Sequence, residues 1–435
     1  MTAHKHFKQR VRARMEKTGE SYSSARRILL ARLPRNDDPH FSGCVPGATA
    51  LRVLLTHAGV RAPHTGEPLT EALTFGLAGG VGIGMFSFFY EKEGFASLFL
   101  AGRHLWHDHT QYLTAACRRL GLEPSVREAS GVKTAEKALR EALAEGPCVA
   151  WVDAALLPHR GVPGNLGGNL YHVVTVYRLD GDAALIGDLT DEPVHIPLAA
   201  LTAARGRIKK DKNRLLALPG GAVPKIDLKE QVRAGLAACQ RGLTGALGVR
   251  SAARNFSLDC LATLADRLHG SKDNERWERV FPPGKRLWRG LASIYEYVEH
   301  YGSGGGLCRP LFAEFLTEAA DALHSKALSE LAERYAALGR EWSALAEAAL
   351  PRGVPLFRAT RDAIDRRSES LHAAAPPDEI AAAWAELAAL ERQAGERFPL
   401  TDDQAAAMRA ELQEHVRALH AGEVAAHEAM AACCQ

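Results

Sequence analysis

The feature that most limits what this chain can fold into is a change of periodicity at Pro219-Gly220-Gly221. Before that break, short apolar runs rich in Val, Ile and Tyr alternate with helical patterns. After it, strand signals nearly vanish, and Ala, Leu, Glu and Arg recur at spacings of three and four. This asymmetry predicts a mixed domain over 34–222 and an all-helical domain over 223–435, and a chain of 435 residues suits two or three cores better than one. In the first part, helix signals cover 45–57, about 106–120 and 134–144. Strand signals follow at 147–152 and 171–179, then at 183–186 after the turn Asp180-Gly181-Asp182. Helices first and antiparallel strands later give an α+β class.

The helical part is punctuated by loops at Pro282-Pro283-Gly284 and at 302–306, and Pro376-Pro377 precedes a last pair of long helices over 378–397 and 401–431. Residues 1–33 form a basic helical extension, two short helices with a break near Thr18-Gly19 and a cap at Ser21. A solvated charged face is the preferred reading of this extension over a surface for nucleic acid or an acidic carrier. With 54 basic against 51 acidic residues the net charge is +3, which calls for no polyanion, so nucleic acid is not an expected partner. No run reaches the roughly 18 to 20 apolar residues of a membrane span, and no apolar run follows the basic N-terminus. The expectation is a cytoplasmic protein without a membrane partner.

Eight cysteines are scattered unevenly, and only Cys433 and Cys434 adjoin, so neither a disulfide framework nor a zinc-type pair is expected. Cys44 stands apart. It lies in HFSGCVPGATALRVLL, after a glycine and just before an amphipathic helix whose first turn holds Pro46. A thiol at a helix N-terminus meets exposed N–H groups and the positive end of the dipole, both of which favour the thiolate. The competing reading is a small buried core residue.

His172 opens the run YHVVTVYRL, 128 residues after Cys44, and Asp188 follows sixteen residues later. If 171–179 and 183–188 form a hairpin about 180–182, the two have the same parity and fall on one face, where the carboxylate can hold the imidazole. That gives a nucleophile, base and orienting acid in Cys44, His172 and Asp188. The Cys-to-His separation is similar to that of papain-like enzymes. The usual upstream Gln is absent, so oxyanion donors stay open among the backbone N–H of Cys44, His40 and Asn36. The five-glycine segment 76–84, with Gly80 and Gly82, is read as structural or as part of a substrate channel, with phosphopantetheine contact the lesser alternative. His104, His107 and His109 spread over several helix faces, so no metal is expected. Arg309 is expected to serve structure.

Several of these segments together resemble the N-terminal domain family of butirosin biosynthesis protein H. They are the Gly-Cys before TALRVLL, GLAGGVGIGMFSFFYE, WVDAALLP and YHVVTVYRLDGDAALIGD. NFSLDCLATLADRL, YGSGGGLCRPLFAEFLTEAADAL and ERYAALGREW resemble the uncharacterised helical domain that commonly follows it. The resemblance implies a papain-like domain with an antiparallel sheet and acyl transfer through a cysteine thioester, from an acyl carrier protein to a small-molecule amine. Carried onto this chain, Cys44 attacks the thioester, His172 shuttles protons and Asp188 orients His172. No permanently bound cofactor is implied; a phosphopantetheine-linked or other thioester is the substrate. A hydrolase acting on peptides or thioesters, and a non-catalytic binding or scaffold protein, stay open as alternatives, as does a homo-oligomer.

Overall fold

The computed structural model describes residues 2–20, 22–30, 40–103, 109–168, 170–220, 225–246 and 250–434. Asn36, His104, His107 and the proposed cap Ser21 lie outside the described residues.

The chain begins with helices α1 (Thr2–Thr18) and α2 (Tyr22–Leu30), then α3 (Pro46–His57) and α4 (Glu71–Leu77). A hairpin follows, β1 (Gly84–Tyr90) with β2 (Phe95–Ala101), which starts where the glycine segment 76–84 ends. The alternation of FASLFLA explains the strand: Ala96, Leu98 and Leu100 are buried, while Phe86 and Phe99 on the other face meet Phe256 and Tyr297 of the helical half. The hairpin therefore joins the two halves. Next come α5 (His109–Arg119), β3 (Ser125–Arg127), α6 (Val132–Glu145), β4 (Cys148–Asp153), β5 (Tyr171–Asp180), β6 (Ala183–Gly187), β7 (Val194–Pro197), α7 (Leu198–Arg207) and β8 (Leu215–Ala217).

Six of these strands form one antiparallel sheet in the order β3-β8-β4-β5-β6-β7. The pleat sorts its side chains into two cores. Val149, Trp151, Val173 and Leu216 join α3 and α4 in a core continuous with the helical half. Ala150, Val152, Val174 and Ile186 pack with Leu139 of α6 and with Leu201 and Ala204 of α7. The fold is α+β, with a helical C-terminal part as its periodicity predicts.

That part contains α8 (Leu228–Leu243), α9 (Asp259–Leu268), α10 (Trp277–Val280), α11 (Lys285–Glu299), α12 (Arg309–Leu323), α13 (Lys326–Ala349), α14 (Pro355–His372), α15 (Pro377–Glu396) and α16 (Asp402–Cys433). Arg309, fully buried, pairs with Glu423 at 2.7 Å, and Trp342 Nε1 donates to the same carboxylate at 2.8 Å. Arg309 Nη1 also donates to the carbonyls of Gly82 and Leu307, tying the glycine segment to the helices. The N-terminal extension docks through ion pairs, Arg12 with Glu369 at 3.0 Å and Arg26 with Asp191. Among the described residues no helix is long and apolar enough to cross a membrane, and no group of metal-binding side chains assembles.

Candidate active site

His172 and Asp188 meet, by a register other than the one their spacing suggests. The β5–β6 turn is one residue tighter than expected: Asp180 pairs with Ala183, leaving Gly181-Asp182 as the loop. Gly181 has φ +60°, which a glycine at the first loop position accommodates. In that register alone, His172 and Asp188 would fall on opposite faces. A bulge between Val176 and Arg178 shifts the pairing by one, so that Thr175 faces Gly187 and the two residues become diagonal neighbours on one face. The bulged Tyr177 lies over Gly187, where a Cβ would come within 2.6 Å of the Tyr177 hydroxyl. That hydroxyl donates to Nδ1 of His40 at 3.0 Å, and His40 Nε2 donates to the carbonyl of Thr190 at 3.1 Å. His40 thus braces the hairpin with both ring nitrogens.

Asp188, 4% exposed, is the hub. One carboxylate oxygen accepts from His172 Nε2 and from the backbone N–H of Leu189, each at 2.8 Å. The other accepts from His159 Nε2 at 2.8 Å and Arg160 Nη1 at 2.6 Å. Four donors fill the carboxylate's roughly four lone-pair positions. Burial alone would raise this carboxyl, but the Arg160 guanidinium, His172 and hydrogen bonds from both histidines hold it well below its ordinary value. Burial also pushes the His172 imidazole down; Arg160, 3.2 Å from Nε2, pushes the same way and Asp188 opposes. The result is a neutral imidazole whose Nε2–H is fixed on Asp188, leaving Nδ1 as the basic nitrogen. His159 and Arg160 lie on the loop between β4 and β5. Gly161, with φ +54°, lets this loop touch α15: a Cβ there would fall 2.7 Å from the Pro377 carbonyl oxygen.

Cys44 sits just before α3, as its sequence predicts, but the helix N-terminus is occupied. Glu71, from the first turn of α4, accepts from the backbone N–H groups of Cys44 and Val45, both at 2.9 Å, and lies 3.1 Å from Thr49 Oγ1. The thiol points at the same carboxylate, with Sγ 3.6 Å from each oxygen. The donors that would favour a thiolate, including the Cys44 N–H considered for an oxyanion, are engaged by a carboxylate instead. Gly43 is required by this packing, since a Cβ would fall 2.0 Å from Thr49 Oγ1 and 2.8 Å from Glu71. Pro46, the first residue of α3, lines a cavity of about 110 Å³ together with His172.

Gly80 and Gly82 serve close packing, where Cβ atoms would meet the Phe75 ring at 2.4 Å and Arg103 at 2.6 Å. Sequence reasoning missed Glu71, His159 and Arg160. Glu71 reads as an ordinary acidic residue after the helix cap Thr70, and only tertiary packing turns it onto α3. His159 and Arg160 follow an apolar strand in a Pro- and Gly-rich loop, with no periodic signal.

Residues 46–189 match the family described as Butirosin biosynthesis protein H, N-terminal. The chain carries that family's domain. Residues 198–355 match a domain of unknown function, DUF4872, so the two lie in the order that the sequence motifs imply. No curated protein matches the chain. The butirosin-type match takes in Glu71, His159, Arg160, His172 and Asp188 and begins two residues after Cys44. It places residues 46–189 with a family named for a biosynthesis protein.

Proposed function

We propose that this protein is a cysteine-dependent acyltransferase or amide-forming enzyme of specialised metabolism, with Cys44 as nucleophile, His172 as base and Asp188 as orienting acid. The observation that carries the reading is the buried, neutral His172 held through Nε2 by Asp188, on a cavity wall shared with the head of the Cys44 helix. An imidazole with one nitrogen fixed on a carboxylate and the other basic is suited to take a thiol proton.

In this mechanism the Cys44 side chain leaves Glu71 and gives its proton to His172 Nδ1. The thiolate attacks the thioester carbonyl; a bond forms from carbon to Sγ, the bond to the carrier thiol breaks, and the leaving thiolate takes the proton back from His172. An amine then attacks the acyl-Cys44 carbonyl, His172 accepts the amine proton, and the carbon–Sγ bond breaks to give an amide while His172 returns that proton to Sγ, restoring the thiol. Departure of Glu71 frees the N–H groups of Cys44 and Val45 for the oxyanion. The donor in this reading is a thioester on an acyl carrier protein, and the acceptor is a small-molecule amine.

The Glu71 contact favours a second reading, a papain-like binding protein in which a carboxylate keeps the thiol and its helix donors permanently engaged. Incubation with propionyl-pantetheine, with and without an amine such as glycinamide, separates the readings by mass analysis of products. Amide that depends on Cys44 supports transfer; propionate alone indicates a hydrolase; no turnover and no adduct on Cys44 favours the binding protein.

A further inference from the structure

The cavity beside His172 is built by both halves of the chain. Arg160 and His172 come from the sheet domain, while Glu296, Tyr301, Arg367 and Trp384 come from α11, the loop after it, α14 and α15. Arg367 and Trp384 lie beyond both family matches. Apolar walls, among them Leu371 and Ile380, flank the space, and among the described residues its lining carries two guanidiniums against the single carboxylate of Glu296.

Arg367 is the telling residue. It is 8% exposed, its guanidinium stacks 4.1 Å from the centre of the Trp384 ring, and Nη2 donates to Glu296. Its Nη1 is buried and has no hydrogen-bond partner among the described residues. A buried, unpaired guanidinium nitrogen is costly, and a stacked, clamped guanidinium is pre-organised for a planar anion. Arg160 lines the same space, as does Tyr301. The backbone behind Tyr301 is strained: Leu307 and Cys308 hold φ of 49° and 66° after three left-handed glycines, 304–306.

We infer that this cavity is the acyl-binding site and that it selects acyl groups ending in a carboxylate, with Arg367 of the helical half as the specificity-determining residue. The inference rests on the acyl-transfer reading for its substrate, although the anion site stands on its own geometry. A volume of about 110 Å³ compares with the engineered cavity of about 150 Å³ that admits benzene, so the part of the acyl group beyond its reacting carbonyl is short, on the order of four to six non-hydrogen atoms. Leu371 and Ile380 would hold its methylenes, and Arg367 its terminal carboxylate in a charge-assisted pair.

The test compares acylation by succinyl-pantetheine and butyryl-pantetheine, which match in chain length and differ in the terminal carboxylate. The 435-residue chain should be acylated by the succinyl thioester at least tenfold faster, and in Arg367→Gln that ratio should collapse towards one. Should Arg367→Gln fail to fold, Glu296→Gln serves: it removes the carboxylate that pairs with Arg367 and should widen the preference. Binding is read separately by titrating succinate into Cys44→Ala and into Cys44→Ala/Arg367→Gln. Succinate binding that needs Arg367, without acylation of the wild type, upholds the anion site and rejects the transferase. Acylation without preference, together with no succinate binding, overturns the anion site and leaves the transferase standing.

Discussion

Replacing Asp188 by Asn separates what the carboxylate does for the fold from what it does for chemistry. The side chain holds four donors, two of them on rings and one on Arg160, whose side chain is only 12% exposed. Asn keeps the shape and one acceptor oxygen, but its NH2 must face groups that are themselves donors, and Arg160 loses its counter-charge. Removing one partner of a buried pair costs about 3–5 kcal/mol, and Arg160 remains near enough to the cavity to be partly rehydrated, so a loss of about 3 kcal/mol is expected. The effect on chemistry is separate: without the carboxylate, His172 is free to take the wrong tautomer, and the corresponding change in a serine triad costs about 10⁴ in rate. Urea denaturation followed by circular dichroism reads the first effect, and intact-mass kinetics of Cys44 acylation by propionyl-pantetheine reads the second. The double variant Asp188→Asn/Arg160→Gln should recover most of the stability and none of the rate. A single variant that loses stability yet acylates within tenfold of wild type would show that Asp188 is structural only, and the triad assignment would fall.

Glu71→Gln keeps an oxygen for the two N–H groups while removing a negative charge 3.6 Å from the sulfur, so iodoacetamide alkylation of Cys44 should quicken several-fold, with about 1 kcal/mol lost from the cap; slower alkylation would contradict this account of Glu71. His172 and His372 are both buried with pKa values driven down chiefly by burial. The unfolded chain therefore takes up protons that the native state refuses, and stability should fall as pH drops through the unfolded histidine value of about 6.5. Asp188, held low, contributes stability that is full above the unfolded aspartate value of about 3.9 and is lost as the pH falls from there through its own depressed value. Urea midpoints at pH 7.5 and 5.5 check this, and His372→Gln should flatten the difference. Arg309→Met leaves Glu423 buried without its cation and should cost about 3–5 kcal/mol, read as a lowered midpoint, whereas Arg309→Met/Glu423→Met should recover much of that loss.

The period change after Pro219 announces the helical half because an amphipathic helix writes its burial into spacing, and strands β4 to β6 are legible for the same reason. The β1–β2 hairpin is not, since its aromatic face is covered by Phe256 and Tyr297 from far along the chain and its entrance is masked by glycines. The pairing of His172 with Asp188 is foreseeable in outcome and not in route. A tighter turn and a bulge at Tyr177 each shift the parity, and the two shifts cancel. The Cys44 helix is written locally, but Glu71 arrives from a separate helix, and no spacing rule links the two. Arg367 and Trp384 carry no motif; they acquire meaning only where α14 and α15 close over the sheet domain.

The account turns on whether Cys44 accepts an acyl group with the help of His172. Intact mass spectrometry with propionyl-pantetheine, followed by peptide mapping, on wild type, Cys44→Ala and His172→Ala measures this directly. One propionyl adduct on Cys44 in the wild type, none in Cys44→Ala and formation slowed by at least about 10³ in His172→Ala is the predicted result. An adduct that forms at the wild-type rate in Cys44→Ala, or that maps to another residue, would contradict it.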